Sequence, residues 1–414
     1  MSEIRNISLA ASGEQKIEWV TRHMPIMAGI EAEFEKNKPF SGIKIALSVH
    51  MEAKTARLCR ALKAGGAEMH VTGCNPLSTQ DDVAAALALG GIDVHAWHNA
   101  TPEEYTSHLC HVLEYRPDII IDDGADLTHL MHTKFTNLIY NVIGGCEETT
   151  TGIIRVSAMA SSGVLKYPII AVNNAKCKYM FDNRYGTGQS VWNSINRTTN
   201  LIVAGKRVVI AGYGWCGHGI ALRAHGLGAK VIICEVDPIH ALEAMMDGFD
   251  VMPMDEAASA GDVFITSTSC LDVITQRHFE KMKDGAILCN AGHFNVELDM
   301  DWLEHNAVAK EQQRANIMGY TLKNGRTLSV IAEGRLVNLA SGDGHPAEIM
   351  DMSFALHSLS VDYLVKSGSL LPHALVPVPE EIDNAVARKK LAVSGIYIDS
   401  LTDEQRAYLS SWEQ

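Results

Sequence analysis

The run Val208-Val209-Ile210-Ala211-Gly212-Tyr213-Gly214-Trp215-Cys216-Gly217 decides the fold of this 414-residue chain. Val208-Val209-Ile210 reads as a buried strand, and Ile220, Ala221 and Leu222 as the start of a helix. Between them, three glycines permit a tight turn, close approach of backbone N–H groups to a pyrophosphate, and close helix–strand packing. Val231-Ile232-Ile233-Cys234 then reads as the second parallel strand, with Glu235 at its C-terminal end, where a ribose 2′-OH would lie. A carboxylate there accepts from that hydroxyl and repels a 2′-phosphate. The spacing therefore points to NAD rather than NADP, held by Gly212, Gly214, Gly217 and Glu235. A glycine turn alone is weak evidence. Strand, turn, helix, strand and acid in order make a specific signal.

Working outward, residues 188–343 form one α/β unit, with later strands at Val263–Thr266 and Ala286–Asn290. The first ~175 residues show the same rhythm, with strands at Ile43–Val49, Glu68–Thr72, Val94–Trp97 and Ile119–Ile121. Helices are expected over Thr55–Ala64 and after Ser78-Thr79-Gln80-Asp81, where Ser78 or Thr79 can cap. Alternation of this kind implies parallel sheets with helices on both faces, and ligands outside the C-terminal strand ends. His50, Asn75 and Asp123 fall at such ends. Past residue 347 come a helix around Ile349–Val365, a loop punctuated by Pro372, Pro377 and Pro379, and a charged helical tail. The expected fold is α/β with two doubly wound parallel-sheet domains. Residues 1–180 and 347–375 form a substrate domain, 188–343 an NAD-binding Rossmann domain, and 376–414 a small helical tail that serves as an oligomer contact. A cleft between two hinged domains is the natural active site.

Composition narrows the class. At 47% apolar and 20% charged residues the chain can bury full cores. Its net charge of −14 argues against a nucleic-acid groove, which needs clustered Lys and Arg. No window approaches the ~20 apolar residues of a membrane span, and the N-terminus lacks a signal-peptide layout. Nine cysteines without a CxxC pair read as reduced thiols, so neither disulfides nor a metal are expected. This is the profile of a cytoplasmic protein.

Four polar clusters carry candidate chemistry: Asp122-Asp123-Gly124-Ala125-Asp126, Glu147–Gly152, Lys178 with Asp182-Asn183, and Gly344-His345-Pro346; His50 and His293 join them. Singly, each has an ordinary reading as a solvated turn, a helix cap, a surface ion pair or a structural histidine. Jointly, around an NAD unit, they do not. Through Asp122–Thr128, Glu147–Gly152, Phe181-Asp182-Asn183, Gly212–Gly217, Asn290–Phe294, Ala332–Leu339 and Gly344–Pro346, the chain resembles the adenosylhomocysteinases over essentially its whole length.

The resemblance implies a reaction on a nucleoside thioether. NAD⁺ oxidises the ribose 3′-OH to a ketone, which acidifies C4′–H; loss of that proton expels homocysteine, water adds, and the ketone is reduced back. The cofactor is regenerated at each turnover. Lys178, beside Asp182, is then the base at the 3′-OH, a role that favours a lysine pKa lowered by desolvation. Glu148 holds the ribose hydroxyls, Asp123 moves the C4′ proton, and His50 and His293 sit near the leaving group and attacking water. Thr149, Thr150, Thr151, Asn183, Ala291, Gly292, His293, Asn338 and His240 are carried over to the NAD site. Asp126, Ser78, Thr79, Gln80, Met350 and Phe354 are carried over to the substrate site, with His345 on its hinge side. A homodimer or homotetramer is implied. Three departures stand out: Thr187 where many relatives have Cys, His240 where many have Asn, and a terminus Ser410-Ser411-Trp412-Glu413-Gln414 without the basic Lys/Tyr tail that reaches a neighbour's NAD.

A fourth departure concerns the base. Adenine-using relatives show His-x-Thr-x-Glu or His-x-Thr-x-Gln where this chain has His50-Met51-Glu52-Ala53-Lys54. A carboxylate cannot donate to the acceptor N1 of adenine, and an ammonium cannot accept from N6. Hypoxanthine reverses both groups, with a donor at N1 and an acceptor at O6, so Glu52 and Lys54 match it. Asp343, where relatives often place Met, is a further change near the base. The leading expectation is hydrolysis of S-inosyl-L-homocysteine to inosine and L-homocysteine. Its rivals are adenosylhomocysteinase with an atypical pocket, with Glu52 and Lys54 merely a solvated pair at a helix start, a net NAD dehydrogenase, and a catalytically silent NAD-binding partner.

Overall fold

Short Val/Ile-rich runs alternate with helices, and most of them become strands buried along nearly their whole length. The computed structural model describes residues 2–412; Glu413 and Gln414, the end of the tail noted above, lie outside the described residues. Strands β1 (Glu3–Ile4), β2 (Lys44–Ser48), β3 (Glu68–Thr72), β4 (Asp93–Ala96), β5 (Ile119–Asp122), β6 (Gly144–Glu147) and β7 (Ile169–Ala171) belong to one sheet. A second sheet holds β8 (Arg207–Ala211), β9 (Lys230–Cys234), β10 (Asp250–Val251), β11 (Val263–Thr266), β12 (Ile287–Asn290), β13 (Ala309–Arg314), β14 (Ile317–Thr321) and β15 (Thr327–Ile331). The chain then returns to the first sheet with β16 (Leu375–Pro377), parallel to β7.

Strand order is β1-β4-β3-β2-β5-β6-β7-β16 in the first sheet and β10-β9-β8-β11-β12-β15-β14-β13 in the second. All pairs are parallel except β13–β14 and β14–β15. Each sheet has a switch point in its strand order, between β2 and β5 in the first and between β8 and β11 in the second. Such switch points open a crevice at the C-terminal strand ends. Ile45, Leu47, Val71 and Ile119 pack with Met352, Leu356 and Val361 of the 21-residue helix Ala347–Ser367 in one core. Val208, Ile210 and Ile265 pack with Val191 and Ile195 of the helix Thr187–Thr199 in another.

Three local expectations are corrected. The helix after β3 starts at Asp81 with Gln80 at its N-cap, because the Ser78 and Thr79 hydroxyls both donate to the Asn75 carbonyl instead of capping. The helix of the glycine loop begins at Trp215, so Cys216 and Gly217 lie in its first turn. The proline-punctuated segment contains β16; Pro377 is tolerated there because β16 is an edge strand.

Candidate active site

The first sheet's switch point sets the site. His50 follows β2 and Asp123 follows β5, while Glu148 follows β6. After β7 the chain enters a π-helical turn, Tyr179–Gly186, a wide geometry frequent at functional sites, which carries Asp182 and Asn183 just beyond Lys178. From the second sheet, Ala291, Gly292 and His293 follow β12. Together these enclose a cavity of about 880 Å³ that Thr149, Thr150, Thr151, Asn183, Asn338, His345, Met350 and Phe354 also line.

Lys178 is the centre of one cluster. Its Nζ lies 3.1 Å from Glu148 Oε1 and 3.3 Å from Asp182 Oδ2, and donates to Asn183 Oδ1 at 2.8 Å. Asp182 is held in turn by His345 Nδ1 and by the Ser353 hydroxyl, each at 2.6 Å, and Glu148 by His357 Nε2 at 2.6 Å. Burial alone would pull the Lys178 pKa down, but Asp182 and Glu148 more than offset it and hold the ammonium above the usual lysine range. This corrects the expected lowered lysine: desolvation is present, yet two carboxylates within salt-bridge distance outweigh it. The same attraction, with that of His345, holds Asp182 well below the carboxylate range against its burial.

Asp123 is the centre of the second cluster. His50 Nε2 lies 3.5 Å from its Oδ2 and His293 Nδ1 3.7 Å from its Oδ1. Burial raises the Asp123 pKa, but His50 and His293 outweigh it and keep the carboxyl ionised. His50, with Nδ1 at 2.6 Å from the Ser78 hydroxyl, is pushed down by burial to about 4 despite Asp123, so it is neutral at pH 7. Gly124 sits so close to His293 that a Cβ would lie 2.7 Å from Nε2, and its φ of +105° also requires glycine. Behind the turn, buried Glu147 accepts from the Gly124 and Thr149 N–H groups, tying the two strand-end loops together.

At the far end, Glu52 and Lys54 are both buried, so they are not a solvated pair. Lys54 Nζ lies 2.8 Å from Glu52 Oε2 and donates to the Asp343 carbonyl at 2.9 Å. Glu52 also caps the helix Ala53–Ala64 through the Lys54 N–H. Asp343 thus takes part through its backbone, while its side chain is 93% exposed.

Several expected residues are not brought to the cavity. Asp126 pairs with Arg155 at 2.7 Å and accepts from the Tyr105 hydroxyl. Thr79 and Gln80 do not line the cavity, and His240 is exposed on the helix Pro238–Met246. His357, Ser353 and Asn173 are not marked by the sequence, and Glu147 enters it only as part of the Glu147–Gly152 cluster, with no role of its own. Only the Glu147–Glu148 pairing carried any local signal.

Beside the cavity, the loop after β8 fits the dinucleotide expected of it. Gly212 has φ +95°, and a Cβ on Gly217 would lie 1.9 Å from the Gly212 carbonyl, whereas one on Gly214 meets nothing within 4 Å. Space is thus reserved above Gly214, at a helix N-terminus with no side-chain cap and N–H groups available to an anion. Glu235 accepts from the Tyr213 N–H at 2.6 Å, at the mouth of the same loop. Asn338 Oδ1, in the cavity wall, is buried without a hydrogen-bond partner, as a site that awaits a polar ligand requires.

Residues 1–135 match the family model for S-adenosyl-L-homocysteine hydrolase, and residues 183–344 match that for its NAD-binding domain. The chain is 54% identical over 412 residues to an S-inosyl-L-homocysteine hydrolase of Methanopyrus kandleri, covering 99% of this chain and 97% of that one. It is 53% identical over 414 residues to the S-inosyl-L-homocysteine hydrolase of Methanocaldococcus jannaschii, covering all of both. To an adenosylhomocysteinase of Thermococcus kodakarensis it is 56% identical over 410 residues, covering 99% and 97%. The fold, the glycine loop and these full-length matches agree: the chain belongs to the S-adenosyl-L-homocysteine hydrolase family and carries that family's NAD-binding domain.

Proposed function

We propose that this protein hydrolyses the thioether of S-inosyl-L-homocysteine, releasing inosine and L-homocysteine. One observation carries the choice of base: a buried carboxylate–ammonium pair, Glu52 and Lys54, lines the cavity where a neutral donor and acceptor would suit adenine. Glu52 Oε2 is taken by Lys54, which leaves Oε1 to accept from N1–H. The Asp343 carbonyl fixes the Lys54 ammonium, whose remaining hydrogen reaches O6. Adenine would leave both charges facing groups of the wrong sense, a mismatch that costs about 10⁴-fold or more in discrimination at a buried site. Identities of 53–56% to relatives of both names do not separate the two nucleosides, so adenosylhomocysteinase is the second reading.

NAD, when bound, supplies the acceptor and later the donor of the hydride at the ribose 3′ carbon. Glu148 and Asp182 orient the ribose diol against Lys178, which takes the 3′-hydroxyl proton. Asp123, kept ionised between His50 and His293, takes the C4′ proton, and the two histidines serve the departing sulfur and the entering water. The Lys178 and Asp123 clusters line one cavity, which supports this division of labour.

A cycle of four proteins tests the base assignment: wild type, Glu52→Thr, Lys54→Gln and the double variant. The double variant should gain on the adenosyl substrate. Each single variant should be poor on both, because one purine edge group is left unpaired at roughly 1–3 kcal/mol. Additive single effects on kcat/KM, with no change of preference in the double variant, would remove Glu52 and Lys54 from base recognition.

The tail is proposed as an oligomer contact of a homodimer or homotetramer. Its residues Tyr397, Ile398 and Trp412 are 93%, 72% and 89% exposed, an apolar load that isolated chains rarely present to water. A chain ending at residue 395 that sediments like the full-length protein would refute this. Among the described residues, no helix is long and apolar enough to cross a membrane.

A further inference from the structure

Three side chains from three elements converge at the edge of the first sheet, and none lines the active cavity: Glu3 on β1, His95 on β4 and His111 on the helix Pro102–Glu114. Parallel register sets Glu3 directly beside His95. Glu3 Oε2 lies 3.1 Å from His111 Nδ1 and 3.7 Å from His95 Nδ1, and the three ligand atoms fall within 4.8 Å of one another. Yet both imidazole nitrogens are buried without making a hydrogen bond, and His95 as a whole is 3% exposed.

The other nitrogen of His95 explains the geometry. Its Nε2 lies 3.0 Å from Asp93 Oδ2. A carboxylate only accepts, so Nε2 carries a proton toward Asp93, which leaves Nδ1 as the nitrogen turned toward the Glu3 carboxylate. Three ligand atoms that converge in this way offer a site to a cation. A shared proton does not serve, because 3.7 Å is too long for a hydrogen bond. A metal ion does: ligand atoms ~2.0–2.1 Å from a tetrahedral Zn²⁺ lie roughly 3.3 Å apart. The Asp93 carboxylate, itself held by His70 Nδ1 and the Ser2 hydroxyl at 3.2 Å each, is the outer partner that orients a ligating histidine and strengthens it as a donor.

We propose that Glu3, His95 and His111 bind Zn²⁺ with a water in the fourth position, and that the ion clasps the N-terminal strand to the sheet. The half-exposed Glu3 and the His111 ring, 31% exposed, leave a path for entry. β1 is two residues long and an edge strand, so few ladder bonds hold it to the sheet. Two other clusters of ligand-type residues are less suited. His218, near Glu243 and Asp247, faces the Arg184 guanidinium at 3.2 Å, which repels a cation, and His50–Asp123–His293 belongs to the catalytic cavity.

The test uses full-length, NAD-loaded protein stripped with a chelator, then titrated with Zn²⁺ by calorimetry and with Co²⁺ for the absorption of a tetrahedral site. Wild type should bind one equivalent, and its Tm should rise with Zn²⁺. Glu3→Gln and His111→Asn should each bind at least tenfold more weakly and lose the Tm rise, while hydrolysing substrate normally. His293→Gln should keep the equivalent. Three results would overturn the proposal: no binding by wild type, unchanged binding in both the Glu3 and His111 variants, or loss of the equivalent in His293→Gln.

Discussion

At the scale of single residues, the proposed base role of Lys178 makes the chemistry depend on pH. Asp182 and Glu148 hold its ammonium charged, so the free amine that the proposed base role requires is scarce at neutral pH. The rate of bound-NAD reduction on adding substrate should therefore climb as pH rises above neutrality. Asp182→Asn removes an anion that favours the ammonium, which lowers the Lys178 pKa, so the climb should shift to lower pH even if the maximal rate falls. Lys178→Ala should show no reduction at any pH. A rapid-mixing absorbance series across pH decides it, and an unshifted profile in Asp182→Asn would detach Asp182 from the lysine's ionisation. Lys178, Asp182, Asp123 and Glu148 were legible in the sequence because acid-rich turns at strand ends are unusual beside an NAD fingerprint. His357 and Ser353 were not. They are ordinary polar residues on one face of a long apolar helix, and only its packing against the π-helical turn and β6 gives them Asp182 and Glu148 as partners.

At the scale of elements, the glycine loop separates space kept for a ligand from space needed by the fold. A methyl group at Gly214 would meet no protein atom, whereas one at Gly217 would strike the Gly212 carbonyl. Gly214→Val should leave the cofactor-free Tm near wild type while NAD content falls steeply. Gly217→Ala should lower the cofactor-free Tm itself, through overpacking worth roughly 1–3 kcal/mol. Equal NAD retention in Gly214→Val and wild type would mean that the loop does not cradle a pyrophosphate. The strand–turn–helix reading of this loop was accurate in kind and late in its helix start, since nothing local marks Trp215 rather than Ile220 as the first turn. β16 was missed for a different reason. Proline discounts a strand locally, and only the return of the chain to β7 gives Leu375–Pro377 something to pair with.

At the scale of the whole molecule, two mainly parallel sheets present their switch points to one cavity. The first supplies His50, Asp123, Glu148 and Lys178, and the second His293 and Asn338. Alternating patterns in the sequence reveal both sheets, because β-branched runs and glycine turns are local signals. How the sheets face each other is not local. It depends on contacts such as Lys54 to the Asp343 carbonyl, which span hundreds of residues and fasten the Glu52–Lys54 end of the cavity to the segment leaving the NAD-binding domain. That contact holds a buried cation and its carboxylate partner at one end of the cavity, where the proposed function puts the edge of a hypoxanthine base. The direct measurement is kcat/KM of the purified, NAD-loaded wild type on S-inosyl- and S-adenosyl-L-homocysteine, side by side. A strong preference for the inosyl compound is predicted. Efficient turnover of the adenosyl compound with none of the inosyl one would contradict it.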